Sequence, residues 1–226
     1  MSGLQIVTEP AREPVTAIEA REHLRLDDDV DNIQVMAYIM AAREWAENYT
    51  GRVFITRTLR QFLDSTPAVT NNGFNGYRTG HQNSLTGGQY AIEISASPVI
   101  SVTSVKYYND AGTESTWATS NYYVDTVRDI PRIVLLAGGS WPTDLRGANG
   151  LEINFTAGYG SSPDSVPEPI RVAILQYCTF LYEHRGDFER YPAPTPPAIL
   201  RTLLQPYKIM RFGATPYENV LRSGIG

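Results

Sequence analysis

The stretch PVTAIEAREHLRLDDDVDNIQVMAYIMAAREWAENYTGRVFITRTLR, residues 14–60, decides the fold. It predicts a short helix, an acidic joint, a long helix, a glycine stop and a strand. Thr16 follows Pro14 as an N-cap, and Glu19 stands three residues on, where a capping box places its acid. Ala17, Ile18, Ala20 and Leu24 give the first helix one apolar side. The run Asp27-Asp28-Asp29-Val30-Asp31 interrupts it. Asp29 or Asp31 can cap the next helix, and the other carboxylates favour its positive end. From Asn32 to Thr50, Ile33, Met36, Ala37 and Met40 recur at spacings of three and four, while Val35, Ile39, Ala42 and Ala46 form a second row. Two rows predict a helix covered on two sides. Gly51 is the natural C′ residue, and Val53 to Leu63 turns β-branched and alternating, a strand.

Outward from this unit, residues 1–13 read as an extended arm, since Pro10 and Pro14 prevent helix. Leu4, Ile6 and Val7 can add to a sheet edge or lie on a neighbouring subunit. Residues 65–89 are rich in Gly, Asn, Ser and Thr without a period, so they read as a long loop or flap. Strands follow. Ile92 and Ile94 alternate, Val99 to Tyr108 carries Val102 and Val105 as markers, and Asn109-Asp110-Ala111-Gly112 is a hairpin turn before Thr113 to Trp117. Tyr122 to Val127, Arg132 to Leu136 and Leu151 to Thr156 supply three more, at a rhythm suited to a small antiparallel sandwich or barrel.

Helix returns with Pro167 and Pro169 straddling a start and Glu168 in the first turn. Ile170, Val172, Ala173, Ile174, Tyr177, Phe180 and Leu181 form a wide apolar face that ends at Gly186. The joint Tyr191 to Pro197 is stiff and extended, and Ala198 to Gln205 forms one more short helix. Neither pair of helices can bury its apolar face alone, so the two chain ends must meet. The expected class is α+β. Residues 14–52 and 166–206 form a helical bundle, with Met36 or Met40 touching the helix of Ile174. Residues 53–165 form an inserted antiparallel β-domain, and 207–226 form an extended C-terminal arm. That arm has apolar side chains without a sustained period, so it is either frayed or ordered by a partner.

The search for chemistry comes back empty. No phosphate-binding glycine loop and no nucleophile elbow occurs. Asp27, Asp29 and Asp31 match the first ligand spacings of a calcium loop, but its glycine position holds Asn32 and its glutamate position Tyr38, so helix capping explains them better. His23, His81 and His184 are scattered without zinc spacing. Cys178 lies in an apolar helical run and reads as buried and inert. No catalytic residue, metal or cofactor is expected. A net charge of −5 argues against a general nucleic-acid binder. One cysteine and no apolar run of membrane length fit a soluble chain assembled in a cytoplasm. Fourteen tyrosines in a chain with 19% charged residues suit either partner contacts or strands.

The opening PVT…EA..HLR, the acidic joint, AAREW.E.YTGR..I and T.R together resemble the head–tail connector (adaptor) proteins of long-tailed bacteriophages. SPVISVTSVKYYNDAGTE (97–114), INFTAGYG (153–160) and VPEPIRVAILQYCTFLYEHRG (166–186) extend the resemblance from Pro14 to about Tyr207. The insert at 65–89 departs from compact members. The resemblance implies a structural virion protein, assembled in the bacterial host cytoplasm and located in the neck. Twelve copies would ring the channel beneath the portal and carry the next stopper or tail component. Packaged double-stranded DNA would slide past an acidic wall without specific binding. Portal docking is expected of the C-terminal arm, through Phe212, Tyr217, Leu221 and Ile225 as anchors and Lys208, Arg211 and Arg222 as register-setting charges. The competing expectations are a non-viral ligand-binding module, with Trp117 and Trp141 of the β-domain as carbohydrate platforms, or another virion ring component such as a stopper or tail terminator.

Overall fold

The computed structural model describes residues 2–26, 32–67, 91–186 and 195–210. The expectations for the acidic run 27–31, for His81 and most of loop 65–89, for much of the proline-rich joint and for the arm from 211 onward lie outside these residues. Among the described residues, four helices and eight strands make an α+β fold. Helices α1 (Ala17–Leu24), α2 (Asn32–Thr50), α3 (Glu168–Glu183) and α4 (Ala198–Leu204) flank the strand-rich middle of the chain.

Local chemistry marks several helix ends. The Thr16 hydroxyl accepts the Glu19 N–H at 3.2 Å while Glu19 Oε2 accepts the Thr16 N–H at 2.7 Å, so the capping box closes. Helix α2 ends where Gly51, at φ 71°, turns left-handed. Pro167 precedes α3 and Pro169 sits in its first turn, where no helical N–H bond is lost.

Each helix then buries one stripe. Val35, Ile39, Ala42 and Ala46 of α2 share a core with Ile170, Ala173, Ile174 and Cys178 of α3 and with Leu200 and Leu204 of α4. Burying one such Ile or Leu contributes about 1.5–3 kcal/mol. Two expectations fail here. Helix α2 is covered on one side, not two, and Met36 and Met40 are exposed rather than packed on the Ile174 helix. The two α2 rows lie on opposite sides, so one bundle takes only one of them. Ile18 is likewise outward, because it stands about 200° around the helix from the buried Ala20.

Polar contacts close the two chain ends on each other. Arg171 of α3 donates to the Pro14 carbonyl at 3.2 Å, to Glu168 at 2.9 Å and to Glu19 of α1. Trp45 of α2 stacks on Tyr177 of α3 with centroids 4.7 Å apart, and Tyr38 meets Tyr182 edge-on. Several tyrosines therefore serve the helix seam.

The middle strands form two sheets. Strands β1 (Ser2–Ile6), β2 (Arg57–Leu63), β8 (Leu151–Ala157), β4 (Val99–Tyr108) and β5 (Glu114–Thr116) lie in that spatial order, all antiparallel. Strands β3 (Ala91–Glu93), β7 (Arg132–Leu135) and β6 (Tyr122–Asp125) form the second sheet. Both sheets feed one core, with Leu59, Val105, Ile153 and Phe155 from the first and Ile92, Tyr122 and Ile133 from the second. Among the described residues the larger sheet keeps open edges at β1 and β5, so these strands close no barrel. The arm takes the first of its two expected places: β1 pairs with β2 from Ser2 opposite Leu63 to Ile6 opposite Leu59.

Strand β4 carries its valines every third residue, which a flat strand would scatter over both faces. Register shifts between Val99 and Ser101 and between Val102 and Ser104 absorb the extra residues. Val99, Val102 and Val105 then stand opposite Ala157, Phe155 and Ile153, whose spacing is two. At the far end of β8, Gly158 has φ +137°, and a Cβ there would lie 2.5 Å from the Thr56 nitrogen. Gly158→Ala is expected to destabilise the chain by more than about 1 kcal/mol, read from urea midpoints at unchanged slope. A midpoint equal to that of the unmodified chain would show that the Thr56 backbone moves freely.

Candidate assembly surfaces

The described residues hold no group of three or more His, Cys, Asp or Glu side chains placed to bind a metal. Cys178 is fully buried in α3, and burial pushes its thiol up to about 12. It should resist thiol reagents at pH 8 in the folded chain and react fully in guanidinium, as a colorimetric disulfide-exchange assay would show. Rapid native reaction would contradict this burial. Trp117 stacks on Tyr122 at 4.7 Å and on Trp141 at 5.0 Å. Both of these tryptophans are buried in the β-core, so neither offers a face to a sugar.

The charged residues that are buried are structural. Glu47 of α2 accepts from Arg43 and Arg57 at 3.0 Å each through Oε2, and from the Phe54 N–H at 2.9 Å through Oε1. Arg43 also donates to Glu13 at 2.7 Å. Glu47 thus fastens α2 to the entry of β2, and Arg43 carries the link on to Glu13 of the arm, in a site where an unpaired charge would be costly. Arg57 Nε is buried there without an acceptor among the described residues. On the large sheet, Glu152 receives Tyr108 at 2.7 Å and pairs with Arg60 at 3.2 Å. Burial first, and then the Glu152 and Glu114 carboxylates, raise the Tyr108 phenol above its ordinary range.

The outer surface is more informative. Along the solvent side of α2, Ile33 is 91%, Met36 37% and Met40 46% exposed, with Ala37 and Ala41 exposed beside them. Farther along, a cleft of about 480 Å³ opens between β1 and the end of α2, lined by Leu4, Ile6, Glu44, Arg52 and Val53 among others. Leu4, Ile6 and Val7 are each about half exposed. Periodicity found the α2 row but not its exposure, because both rows score alike as apolar.

The C-terminal residues that are described lie against the bundle. The Ile209 N–H donates to the Thr50 carbonyl at 2.8 Å, Tyr207 O accepts from Arg52 at 2.6 Å, and Tyr49 Oη donates to Gln205 at 2.9 Å. Lys208 sits over the Tyr49 ring, 4.7 Å from its centroid. Of the expected docking residues only Lys208 is placed. Arg211, Phe212, Tyr217, Leu221, Arg222 and Ile225 lie outside the described residues.

No protein-family model matches the chain, and no curated protein matches it in sequence. Solved structures do match. The fold is similar to a chain in the neck of an empty gene transfer agent particle computed with C6 symmetry, at 24% identity and TM-score 0.70. A chain in the virion of the native gene transfer agent particle matches at 24% and 0.67, and one in the native neck computed with C12 symmetry at 25% and 0.65. Each match covers 92% of this chain and 96% of the other. The fold is thus one found in the necks of phage-like particles, as the resemblance implied.

Proposed function

We propose that the chain is a structural neck protein of a phage-like particle, a non-enzymatic connector whose copies form a ring beneath the portal. The observation that carries this reading is the end-to-end likeness to chains from particle necks computed with C6 and C12 symmetry. Twelve copies fit that symmetry. The ring continues the DNA channel and offers its far side to the next neck or tail component. A net charge of −5 suits a lumen along which DNA slides rather than sticks. The arm from Arg211 onward engages the portal, with Phe212, Tyr217, Leu221 and Ile225 as anchors. Lys208 is already engaged with Tyr49, which leaves Arg211 and Arg222 to meet acidic groups there.

Mass photometry tests the reading. The free chain is expected as a monomer at low concentration, because small interfaces gain from a template. Mixed with the portal of its own particle, it should give a single larger species. Portal and chain that stay separate at micromolar concentration, while particles retain their tails, would overturn it. The buried positions of Trp117 and Trp141 give the carbohydrate-module reading no support.

A further inference from the structure

Helix α2 ends beside the last described residues, and each residue from Tyr49 to Arg52 holds one or more of them. Tyr49 takes Gln205 and Lys208, the Thr50 carbonyl takes the Ile209 N–H, and Gly51 lies against Ile209. Arg52 adds the contacts with the most direction. Its backbone N–H donates to the Thr50 hydroxyl at 3.3 Å, just past the left-handed turn at Gly51. Its Nε donates to the Tyr207 carbonyl at 2.6 Å, and its Nη2 donates to Asp129 at 2.7 Å. The Arg52 side chain is 13% exposed, whereas that of Asp129 is 79% exposed. A charge-assisted bond made largely out of water is strong, and a pair with an exposed acid is weak. The Tyr207 bond therefore holds, while Asp129, between β6 and β7, steers the guanidinium.

We infer that Arg52 is the positioning residue of the C-terminal arm, fixing the root from which residues 211–226 leave the body. The inference rests on the reading of that arm as the portal anchor and adds the group that aims it. The root needs such a clamp. Helix α4 stops at Leu204, a single tight turn follows over Gln205–Tyr207, and Lys208 is extended. Among the described residues Tyr207 is the last one packed on either core, and Met210 is already 61% exposed. Residues 208–210 lie outside helix and strand, so nothing of their own stiffens them. An arm that starts from a fixed point in a fixed direction loses less freedom on docking, and clamping its root thereby raises affinity. Arginine suits the task, because its planar fork serves a carbonyl and a carboxylate at once, at set angles. Lysine would bring the same charge as a point on a flexible stem.

Cys178, the chain's one cysteine, is buried, so two introduced thiols can carry spin labels. Ile33→Cys and Met210→Cys suit them, since both side chains are exposed. Ile33 also stands about 25 Å along α2 from Thr50, at about 1.5 Å per residue. Pulsed dipolar spectroscopy of the free labelled chain should give one narrow distance distribution. Adding Arg52→Ala should at least double its width, while circular dichroism stays that of the parent. The unlabelled Arg52→Ala chain should bind the portal of its particle about tenfold more weakly. Arg52→Lys should fall between parent and alanine variant in both readings. Where Arg52→Ala loses the parent's circular dichroism, Arg52→Lys decides by the same two measurements. A distribution already broad in the parent, one no wider in the variant, or portal binding equal to the parent's overturns the inference and leaves the connector reading standing. A parent chain that binds no portal overturns the connector reading, while the two widths still decide whether Arg52 holds the root.

Discussion

A chain ending at Met210 should keep the circular dichroism and melting temperature of the full chain, yet lose attachment to DNA-filled heads. The described fold explains the first half. Among the described residues the bundle runs as far as Ile209, which is hydrogen-bonded to Thr50 and lies against Gly51. Among the described residues, the last to pack on either core is Tyr207. The second half follows from the proposed role of the arm. A few buried aromatic and large apolar anchors carry most of an interface, at about 2 kcal/mol or more each. Losing Phe212, Tyr217 and Leu221 together should weaken portal binding by more than about a hundredfold. Truncating at Met210 rather than before Lys208 matters, because Lys208 belongs to the bundle through Tyr49. Normal attachment of the shortened chain would sink the arm as anchor and turn attention to the segment around Leu4 to Val7.

The second large effect is expected at Glu47. Glu47→Ala removes the acceptor of two arginines and of the Phe54 N–H in one step. Arg43, at 2% exposure, keeps Glu13 as its close partner, and Arg57 loses the partner that holds its Nη2. Breaking such a buried network from one side costs about 3–5 kcal/mol. For a domain of this size that is a fall in melting temperature of roughly 6–20 °C. Glu47→Gln keeps the shape and an acceptor for the Phe54 N–H, so it should fall between the alanine variant and the parent. Scanning calorimetry reads all three. An alanine variant that melts with the parent would mean that water reaches Arg43 and replaces the acid.

The α+β class was legible because its signals are local. Thr16 and Glu19 start one helix, Gly51 stops another, and the proline pair at 167 and 169 starts a third. Periodicity also found both rows of α2. It could not say which one the bundle takes, since Val35 and Met36 are both apolar and only the neighbours decide. Strand β4 carries its valines every third residue, a spacing that a flat strand does not explain. The reason is non-local: the two bulges appear only when β8 is laid beside it. Ile18 misled for a plainer reason, as composition was weighed over angle. The assembly surfaces were half legible. Leu4, Ile6 and Val7 stood out as an arm, whereas the α2 face needed the bundle to be built before it could be seen as left over. The buried tetrad around Glu47 gave no signal, because its members are spread along the chain from Glu13 to Arg57 and no motif links them.

That the strands separate helices sharing one core also orders events in time. Helix α2 ends at Thr50 and its main partner α3 begins at Glu168, so a ribosome must make more than a hundred further residues before the two can meet. Until then α2 has two apolar rows and no cover from α3, while seven of the eight described strands lie between the two helices and share a core of their own. During synthesis the sheets can therefore settle first and bring the emerging α3 back to α2, with the loop between them shortened by their folding. Helix α2 becomes a fixed ridge only after α3 has followed it off the ribosome.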